Sequence, residues 1–360
     1  MKGLKTVLTP FAPDQSGSVA VLYEYGGLIV ILDAGGCTGN ICGFDEPRWT
    51  VKKSMIMSAA LRDMDAILGR DEALVKKTVK AAEQLKPNFI AVIGTPVPAV
   101  IGTDFRGIVN LLKKKTGMEN VFGIETFGMK YYDEGASKSY MALVSEYFAG
   151  LNSSKYIGIF GATPLDISKE ELDYIKSRIQ AEEGLDSTEN IISFGMDCDY
   201  KDFSKLSGLY KNYVISISGL KACRKLKDDF EIDYVLENYS AENYVDKALE
   251  LINTSKAVLG KIPKVLIVSE QIFANSLRNL ILKSGFSDEI EIINATFFMK
   301  DKEISETCDL KLKDEDDFEN VVVNENIDVV IGDPVLKDIL SIKQLESLEW
   351  LSIKHFAVSG

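Results

Sequence analysis

The sequence predicts an α/β protein with three doubly wound units, each built around a parallel sheet. Short apolar runs rich in β-branched residues alternate with longer amphipathic segments along the chain. Several of these runs, such as 28–33 and 156–160, are apolar on both faces, which is typical of central strands in a parallel sheet. The alternation repeats three times and divides the chain into units at 1–150, 151–238 and 239–360.

The expected elements follow from this alternation. Strands are expected at 28–33, 89–93, 156–160, 213–217, 265–269 and 328–331. Helices are expected at 51–61, 71–85, 105–115, 137–148, 169–182, 220–230, 241–259, 271–283 and 335–342. Ser168 and Glu171 have the spacing of a capping box, which places a helix start at 169. Ligands of doubly wound sheets bind beyond the carboxyl ends of the strands, so the loops after these strands are the candidate site loops.

Composition excludes several classes of function. The chain has 360 residues, 46% hydrophobic and 26% charged, as expected for a globular protein with more than one core. Its formal net charge is −13 and it has no run rich in lysine or arginine, which argues against nucleic acid or an anionic membrane as the partner. No apolar run is long enough to span a membrane, and no signal-peptide core is present at the start. We therefore expect a cytoplasmic protein with reduced thiols.

The chain contains a single histidine, His355. Histidine-rich zinc sites and a Ser-His-Asp triad are excluded unless His355 alone serves. Neither a P-loop nor a dinucleotide fingerprint is complete anywhere in the sequence. Redox or metal chemistry would therefore depend on cysteine, carboxylate or a bound cofactor.

Two of the five cysteines, Cys37 and Cys42, stand in a glycine-rich stretch directly after the strand expected at 28–33. Two thiolates can reach one inorganic core, and glycine lets backbone N–H groups approach the sulfurs. The glycines at 35, 36, 39 and 43 predict an irregular loop. The pattern favours an iron–sulfur or other thiolate-metal site; two buried structural thiols and a structural zinc site are the alternatives. Two thiolates cannot complete a cubane, but a homodimer with this loop on its two-fold axis would supply four, which suits one [4Fe–4S] cluster.

A second loop, 94–104, contains Thr95 and Pro96 and follows the strand expected at 89–93. Asp104 can cap the helix that comes next. Both loops follow strands of the first unit, so we expect them to meet at one edge of its sheet. Taken alone, this loop reads as a rigid connection between a strand and a helix.

At this level the chain resembles nitrogenase component 1 and its relatives, which include nitrogenase molybdenum–iron protein subunits, dark-operative protochlorophyllide reductase and cofactor-assembly scaffolds. The cysteine stretch resembles the glycine-cysteine loop of that family. The other similar segments are 65–70 with the helix to Leu85, 86–95, 100–104, 156–161, and 213–219 with the helix to Phe230. The resemblance covers most of the chain.

The resemblance implies three Rossmann-like domains around a central cleft, paired subunits and an iron–sulfur cluster at their interface. It makes Cys37 and Cys42 the expected cluster ligands. The expected neighbours of the cluster are Gly36, Gly39, Gly43, Thr95 and Pro96. The implied partners are a second copy or a paralogous subunit, and an ATP-hydrolysing iron–sulfur reductase as electron donor.

The departures from the family pattern are informative. The earlier cluster cysteine of the family would fall near 11–16, where Asp14 is either an oxygen ligand in its place or an ordinary turn aspartate, and the later one would fall at Thr95–Pro96, which has no cysteine. A large eight-iron cluster is therefore not expected. The cysteine that anchors the iron–molybdenum cofactor would fall around 215–216 and is absent; Cys223 is expected to be a packing residue. The third domain is expected to be short at its C-terminal end.

These observations lead to two hypotheses. The first is a nitrogenase-like reductase subunit that passes low-potential electrons through a [4Fe–4S] cluster to a small molecule, a tetrapyrrole or a metallocofactor precursor. Nitrogen fixation itself is not expected. The second is a non-catalytic scaffold or small-molecule-binding protein on the same fold, favoured by the missing ligands.

Overall fold

Three sheets with parallel strand pairing form the frame of the molecule. A computed structural model of the chain describes residues 6–8, 11–62, 71–152, 155–286, 290–355 and 357. Its strands are β1 (Leu28–Ile31), β2 (Met55–Ser58), β3 (Ile90–Ile93), β4 (Val121–Ile124), β5 (Tyr156–Phe160), β6 (Ile191–Ser193), β7 (Leu209–Val214), β8 (Asp233–Leu236), β9 (Val265–Val268), β10 (Ile292–Thr296), β11 (Leu310–Lys311), β12 (Val329–Gly332) and β13 (Glu349–Ser352). Their orders are β2-β1-β3-β4, β6-β5-β7-β8 and β11-β10-β9-β12-β13. The expected α/β class with three parallel sheets is confirmed.

Most of the helices connect strands of the same sheet, as parallel pairing requires. The helices are α1 (Asp14–Leu22), α2 (Gly36–Asn40), α3 (Asp71–Leu85), α4 (Pro96–Ile101), α5 (Phe105–Thr116), α6 (Tyr132–Tyr147), α7 (Lys169–Glu182), α8 (Ile217–Phe230), α9 (Glu242–Leu259), α10 (Gln271–Ile281), α11 (Glu315–Asn324) and α12 (Ile342–Glu346). Helix α1 precedes β1, and α6 and α9 each lead from one sheet to the next. The capping box expected at Ser168 and Glu171 is present at the start of α7. Asp104 accepts a hydrogen bond from the Gly107 N–H and caps α5.

Strands β1 and β3 form the centre of the first sheet and are buried at every residue. They pair in parallel with Leu28 opposite Ile90, so the segments that follow them leave the sheet at the same edge. The cysteine segment follows β1, and the segment with Thr95 and Pro96 follows β3. The parallel register of β1 and β3 therefore brings these two segments together, as expected.

Helices α1 and α6 cross at very short range. A Cβ at Gly17 would lie 1.8 Å from the Tyr132 carbonyl oxygen, and a Cβ at Gly135 would lie 1.6 Å from the Asp14 carbonyl oxygen. Each helix thus carries a glycine where the other's backbone passes. All nine residues of α1 are buried.

Chain segments far apart in sequence meet beside the third sheet. The Glu315 carboxylate at the start of α11 accepts hydrogen bonds from the backbone N–H groups of Thr6, Val7 and Leu8 at 2.7–3.0 Å. The Ala12 N–H donates to the Ala357 carbonyl oxygen at 3.0 Å. The opening of the chain is therefore fixed by residues of its final part.

The structure corrects several sequence-based expectations. The helix expected at 51–61 is wrong, because Met55–Ser58 is the edge strand β2. The glycine-rich stretch expected to be irregular forms helix α2 and one π-helical turn, Ile41–Asp45. The helix expected at 335–342 is a 3-10 helix, Pro334–Ile339, followed by α12. The segment 65–70 lies outside the described residues. Among the residues described, no helix is long and apolar enough to cross a membrane.

Candidate functional site

The cysteine segment begins where β1 ends, and Asp33 fixes its start. The Asp33 carboxylate accepts hydrogen bonds from the Thr38 N–H at 2.8 Å and the Ser58 hydroxyl at 2.6 Å. Gly35 has φ +117°, a backbone conformation that favours glycine, and it turns the chain into α2. This turn places Cys37 on α2 and Cys42 on the π-helical turn that follows.

Both thiols are partly exposed, and neither forms a disulfide. Burial raises the pKa of Cys37, and the Asp33 carboxylate raises it further, while the neighbouring Thr95 hydroxyl lowers it. Burial and the Glu46 carboxylate raise the pKa of Cys42. Thr95 itself is fixed, since its hydroxyl donates to the Leu32 carbonyl oxygen at 2.7 Å. Cys37 thus lies beside Thr95, as the sequence predicted for the two loops.

Three glycines of this segment have open space where a side chain would stand. Apart from the neighbouring residues and the backbone of the same helix, no atom of the described residues lies within 4 Å of the position that a Cβ would take at Gly36, Gly39 or Gly43. Glycine inside a helix costs about 1 kcal/mol relative to alanine. Packing within the described part of the chain therefore gives no reason for glycine at these positions. Open space of this kind suits a group or a second chain that approaches the backbone.

Buried polar contacts hold the segment after Cys42. The Asp45 carboxylate accepts hydrogen bonds from the Ser16 hydroxyl and the Asn40 side-chain amide, both at 2.7 Å. Glu46 caps the 3-10 turn at Arg48 N–H and forms an ion pair of 2.7 Å with the Arg48 guanidinium. These contacts give Cys42 a fixed backbone on its C-terminal side.

Arg48 links this segment to helix α1 and to the second sheet. Its guanidinium forms an ion pair of 2.7 Å with Glu24 and donates to the carbonyl oxygens of Ala20 at 2.7 Å and Gly195 at 3.1 Å. It also lies 4.6 Å from the Tyr23 ring centroid. The Glu46 and Glu24 carboxylates raise the pKa of Arg48 despite its burial, so the guanidinium stays charged.

Asp14 does not present a free carboxylate to this site. It is fully buried at the start of α1, and its oxygens accept hydrogen bonds from the N–H groups of Phe127 at 2.9 Å and Gly128 at 2.7 Å. Burial raises its pKa, and these backbone donors lower it in part. The Pro96 ring contacts Gly128, where it would lie 2.5 Å from an added Cβ. Asp14, Pro96 and Cys37 therefore belong to one edge of the first sheet, with Asp14 in a structural role.

Large apolar side chains are exposed around this edge. Phe44, Val100 and Met129 are 78%, 86% and 81% exposed, and Ile101 and Phe127 are exposed to a lesser degree. Phe44 follows Cys42 directly, Val100 and Ile101 are on the helix that starts at Pro96, and Phe127 and Met129 flank Gly128. We call these five residues the apolar rim. Such a patch is typical of an interaction surface.

The other cysteines take no part in this site. Cys198 is buried beside Tyr25, and burial raises its pKa to about 12. Cys223 is fully buried, as expected of a packing residue. Cys308 is partly exposed near β11, and its sulfur makes only weak contacts of 3.7–3.9 Å.

The cysteine segment carries two thiols, Cys37 and Cys42. Within the described residues, no group of three or more histidine, cysteine, aspartate or glutamate side chains is arranged to hold a metal ion. A four-iron cluster uses four thiolates. Cys37 and Cys42 therefore fit half of such a cluster, and the open face beside them is where the second half would have to come from.

Sequence reasoning missed a second group of polar residues at the centre of the molecule. A cavity at the carboxyl ends of several strands is lined by Asp166, Ser216, Asn238, Glu270 and His355, among others. These residues are far apart in the sequence. The available signal was the position of Glu270 directly after the strand expected at 265–269.

The comparison with known families settles the relationship of the chain. The family described as "Nitrogenase component 1 type Oxidoreductase" matches residues 35–239, more than half of the chain, including both cysteines of the site and the whole second sheet. The chain belongs to this family. The match begins at Gly35, the residue that turns the chain from β1 into the cysteine helix.

Solved structures of this nitrogenase-like type share the fold of almost the entire chain. A structure titled "Nitrogenase Cp1 at pH 6.5" superimposes with a TM-score of 0.68 at 12% identity, covering 98% of this chain and 87% of that one. A second, titled "Nitrogenase Cp1 at pH 5", gives a TM-score of 0.65 at 14% identity, covering 100% and 87%. At these identities the likeness shows the fold alone. No curated protein gives a significant match.

Proposed function

We propose that this nitrogenase component 1-type chain is a reductase subunit in which Cys37 and Cys42 of two chains hold one [4Fe–4S] cluster. The observation that carries the proposal is the pair of partly exposed thiols beside three glycines with open Cβ space, within the apolar rim. The second chain would be another copy or a paralogous subunit. Electrons would come from an ATP-dependent iron–sulfur reductase, and the acceptor would be a small molecule, a tetrapyrrole or a metallocofactor precursor.

Helix geometry supports an intermolecular cluster. Gly36 and Gly39 are on α2, and Gly43 is on the turn that carries Cys42. Without side chains at these positions, another backbone or an inorganic sulfide can approach the N–H groups beside the thiols. The apolar rim would then exclude water around the cluster, which tunes the potential of an iron–sulfur centre.

The remaining residues of the site have positioning roles in this proposal. Such a cluster supplies one-electron transfer at low potential. Thr95 fixes the surroundings of Cys37, and Asp45 and Glu46 fix the backbone that carries Cys42. Both thiols have raised pKa values in the chain alone, so metal binding must displace their protons.

A scaffold or small-molecule-binding protein of the same fold is the second candidate. The observation that favours it is the state of the two positions where the family pattern has further cysteines. The Asp14 carboxylate is satisfied by backbone N–H groups, and the Thr95 hydroxyl is satisfied by the Leu32 carbonyl oxygen, so neither is free to bind metal.

Anaerobic purification with iron and sulfide analysis, visible spectra and EPR tests the proposal. We expect about two irons per chain and a reducible cubane signal. Both should be lost in the Cys37→Ala, Cys42→Ala double variant. The matched control is Cys308→Ala, which removes a partly exposed thiol far from the site and should keep the iron.

A colourless wild-type protein without iron, equally stable in the double variant, would contradict the cluster assignment. The scaffold or binding function would then be favoured. Iron retained in the double variant but lost in Cys308→Ala would contradict the choice of ligands.

A further inference from the structure

The central cavity lies where elements of the second and third sheets converge. Asp166 follows β5, Ser216 follows β7, Glu270 follows β9 and His355 follows β13. Tyr132, at the start of α6, comes from the part of the chain that carries the first sheet. The carboxyl ends of parallel strands are where doubly wound sheets bind and transform ligands. The cavity is separate from the cysteine site, and none of the residues of that site lines it.

Three side chains form a continuous hydrogen-bonded chain at this cavity. The Tyr132 hydroxyl lies 2.6 Å from Asp166 Oδ1 and 3.2 Å from His355 Nε2. The other oxygen of Asp166 accepts a hydrogen bond of 2.8 Å from the Thr163 hydroxyl. The His355 ring is held in place by stacking on Phe298, with centroids 4.6 Å apart.

The far nitrogen of the histidine has no partner. Nδ1 of His355 is buried and makes no hydrogen bond to any atom of the described residues. A buried polar atom without a partner costs about 1–3 kcal/mol. His355 lines the cavity, whose volume of about 30 Å³ suits a water or a small polar group, and such a group could provide the missing partner. The unpartnered nitrogen is an observation independent of the carboxylates.

The charges around the cavity favour protonated carboxyl groups near neutral pH. Burial raises the pKa of Asp166 well above its ordinary value, and Glu270 and Asp133 raise it further. Burial also raises the pKa of Glu270 to about 7 and that of Asp133 to about 6, against the opposing effect of backbone N–H donors. The titratable or charged groups that face Asp166 or line the cavity are Tyr132, Asp133 and Tyr140 of α6, Glu171 of α7, Tyr244 of α9, Glu270, Lys354 and His355.

We propose that Asp166, Tyr132 and His355 form a proton relay, supported by Glu270, that delivers protons to a substrate in the central cleft. The proposal rests on the proposed reductase function, since a substrate that accepts two electrons across an unsaturated bond also needs two protons. The electrons come from the iron–sulfur reductase; the relay supplies protons only.

Each delivery moves one proton along the chain without loss of any atom. Protonated Asp166 gives its proton to the Tyr132 oxygen, the Tyr132 proton passes to His355 Nε2, and the proton on His355 Nδ1 leaves for the acceptor. Asp166 is then a carboxylate that accepts from Tyr132, and Nδ1 carries a lone pair. Uptake of one proton from water by the reverse path restores the first state.

Infrared spectroscopy and NMR test the relay on the whole chain without a substrate. A protonated carboxyl gives a carboxylic-acid C=O band that shifts in D₂O, and we expect such a band at pH 7. The Asp166 component of this band should be lost in Asp166→Asn, whereas the component of Glu270, whose pKa is about 7, should remain. Since His355 is the only histidine, ¹³C,¹⁵N-histidine labelling gives one ring signal that reports its tautomer. We expect Tyr132→Phe to shift both that signal and the Asp166 band.

Tyr140→Phe is the matched control. It removes another buried hydroxyl of α6, which donates only to the carbonyl oxygens of Ala162 and Phe194. It should leave the Asp166 band and the tautomer signal of His355 unchanged. Circular dichroism and thermal unfolding confirm that each variant folds; where Asp166→Asn does not, the comparison of Tyr132→Phe with Tyr140→Phe decides.

Absence of any carboxylic-acid band at pH 7 would overturn the relay, as would a Tyr132→Phe variant that changes neither signal. The same spectra of the Cys37→Ala, Cys42→Ala variant separate this test from the cluster test. A band that survives there without iron supports the relay, whatever becomes of the cluster. A wild-type protein with iron but no band overturns the relay alone.

Discussion

Arg48 is the residue on which the position of the cysteine segment depends most. Its side chain is 15% exposed, and its partners Glu24 and Glu46 are 12% and 2% exposed. Removing one partner of a buried ion pair leaves the other charge uncompensated, which costs more than the pair itself contributes. The position of Glu46 and Arg48 directly after the cysteines predicts a local ion pair, which is present, but the sequence does not connect Arg48 with the Gly195 carbonyl of the second unit.

We predict that Arg48→Ala lowers the free energy of unfolding by about 3 kcal/mol and reduces bound iron. The free energy of unfolding of Arg48→Lys should lie between those of the wild type and Arg48→Ala, because lysine keeps the positive charge but lacks the planar guanidinium group. Urea unfolding measures the first effect and iron analysis the second. The control is Arg224→Ala, whose partners Asp301 and Glu303 are 21% and 80% exposed, and whose cost should stay below about 1 kcal/mol. Equal costs for the two alanine variants would contradict this account.

Glu270 gives a prediction of pH dependence. Its pKa is about 7 in the folded chain, against 4.5 for the unfolded residue, so the folded state holds its proton longer as the pH rises. The stability that proton binding at Glu270 contributes is fully present below pH 4.5 and is lost as the pH rises through 7. We predict that the destabilisation caused by Glu270→Gln shrinks between pH 5 and pH 8 by up to about 3 kcal/mol. Thermal unfolding of both proteins across this range measures it, and a difference that is constant with pH would contradict it.

His355 has the opposite dependence. Burial lowers its pKa to about 4, so its contribution is lost as the pH falls from 6.5 through 4. The pH dependences of stability from Glu270 and His355 overlap in the acidic range. The effect of Glu270 is therefore measured as the difference in stability between the wild type and Glu270→Gln at each pH.

At the scale of elements, the glycines divide into two classes with opposite expected behaviour. Gly17 and Gly135 are required by the crossing of α1 and α6, whereas Gly36 and Gly39 face open space on α2. The sequence shows glycine in both places but cannot show which backbone passes nearby. Only the folded chain separates a glycine needed by its own packing from one left for an approaching group.

We predict that Gly39→Ala folds normally, with a free energy of unfolding unchanged or raised by up to about 1 kcal/mol, but loses iron and dimer. An added methyl at Gly39 meets no atom of the described chain, so any loss must come from an approaching partner or cluster. Iron analysis and sedimentation measure it. Gly17→Ala should instead lower the free energy of unfolding by about 3 kcal/mol or prevent folding. A Gly39→Ala protein with full iron and dimer would contradict the proposed approach.

The sequence predicted the buried central strands and the amphipathic helices well. It failed for elements in which polar and apolar residues do not separate onto two faces. The helix at 169–182 was predicted with its exact bounds, since a capping box and a clear apolar stripe mark it. Helix α1 was missed because all nine residues are buried, so it has no polar face. Edge strand β2 was mistaken for helix because each residue is only partly buried and the two faces do not alternate.

In the candidate site, the sequence predicted residues that follow two neighbouring strands, and it missed the cavity, whose residues come from distant segments of the chain. Cys37, Cys42, Thr95 and Pro96 follow two neighbouring strands, so the topology alone brings them together. The cavity residues Asp166, Glu270 and His355 follow strands of two different sheets. No spacing in the sequence connects them.

At the scale of the whole molecule, the apolar rim predicts dimerisation through the face that carries the thiols. We predict that Phe44→Glu or Val100→Glu weakens dimerisation at least about tenfold, equivalent to about 1.4 kcal/mol. Val258→Glu, on α9, changes a side chain that is 77% exposed, close to the 78% of Phe44, and should have no such effect. Sedimentation equilibrium across a concentration series compares them. Dimers unaffected by the first two variants would place the interface elsewhere.

The hydrogen bond between Ala12 and Ala357 has a consequence for synthesis of the protein. On the ribosome, helix α1 emerges long before its partner α6. Ala12, which precedes α1, emerges long before Ala357, to which it is hydrogen-bonded. Domains fold as units during synthesis, N-terminal first, but here the Ala12 N–H gains its partner only once Ala357 has been made. Helix α1, buried at all nine residues in the folded chain, likewise lacks its packing partner until α6 has been made.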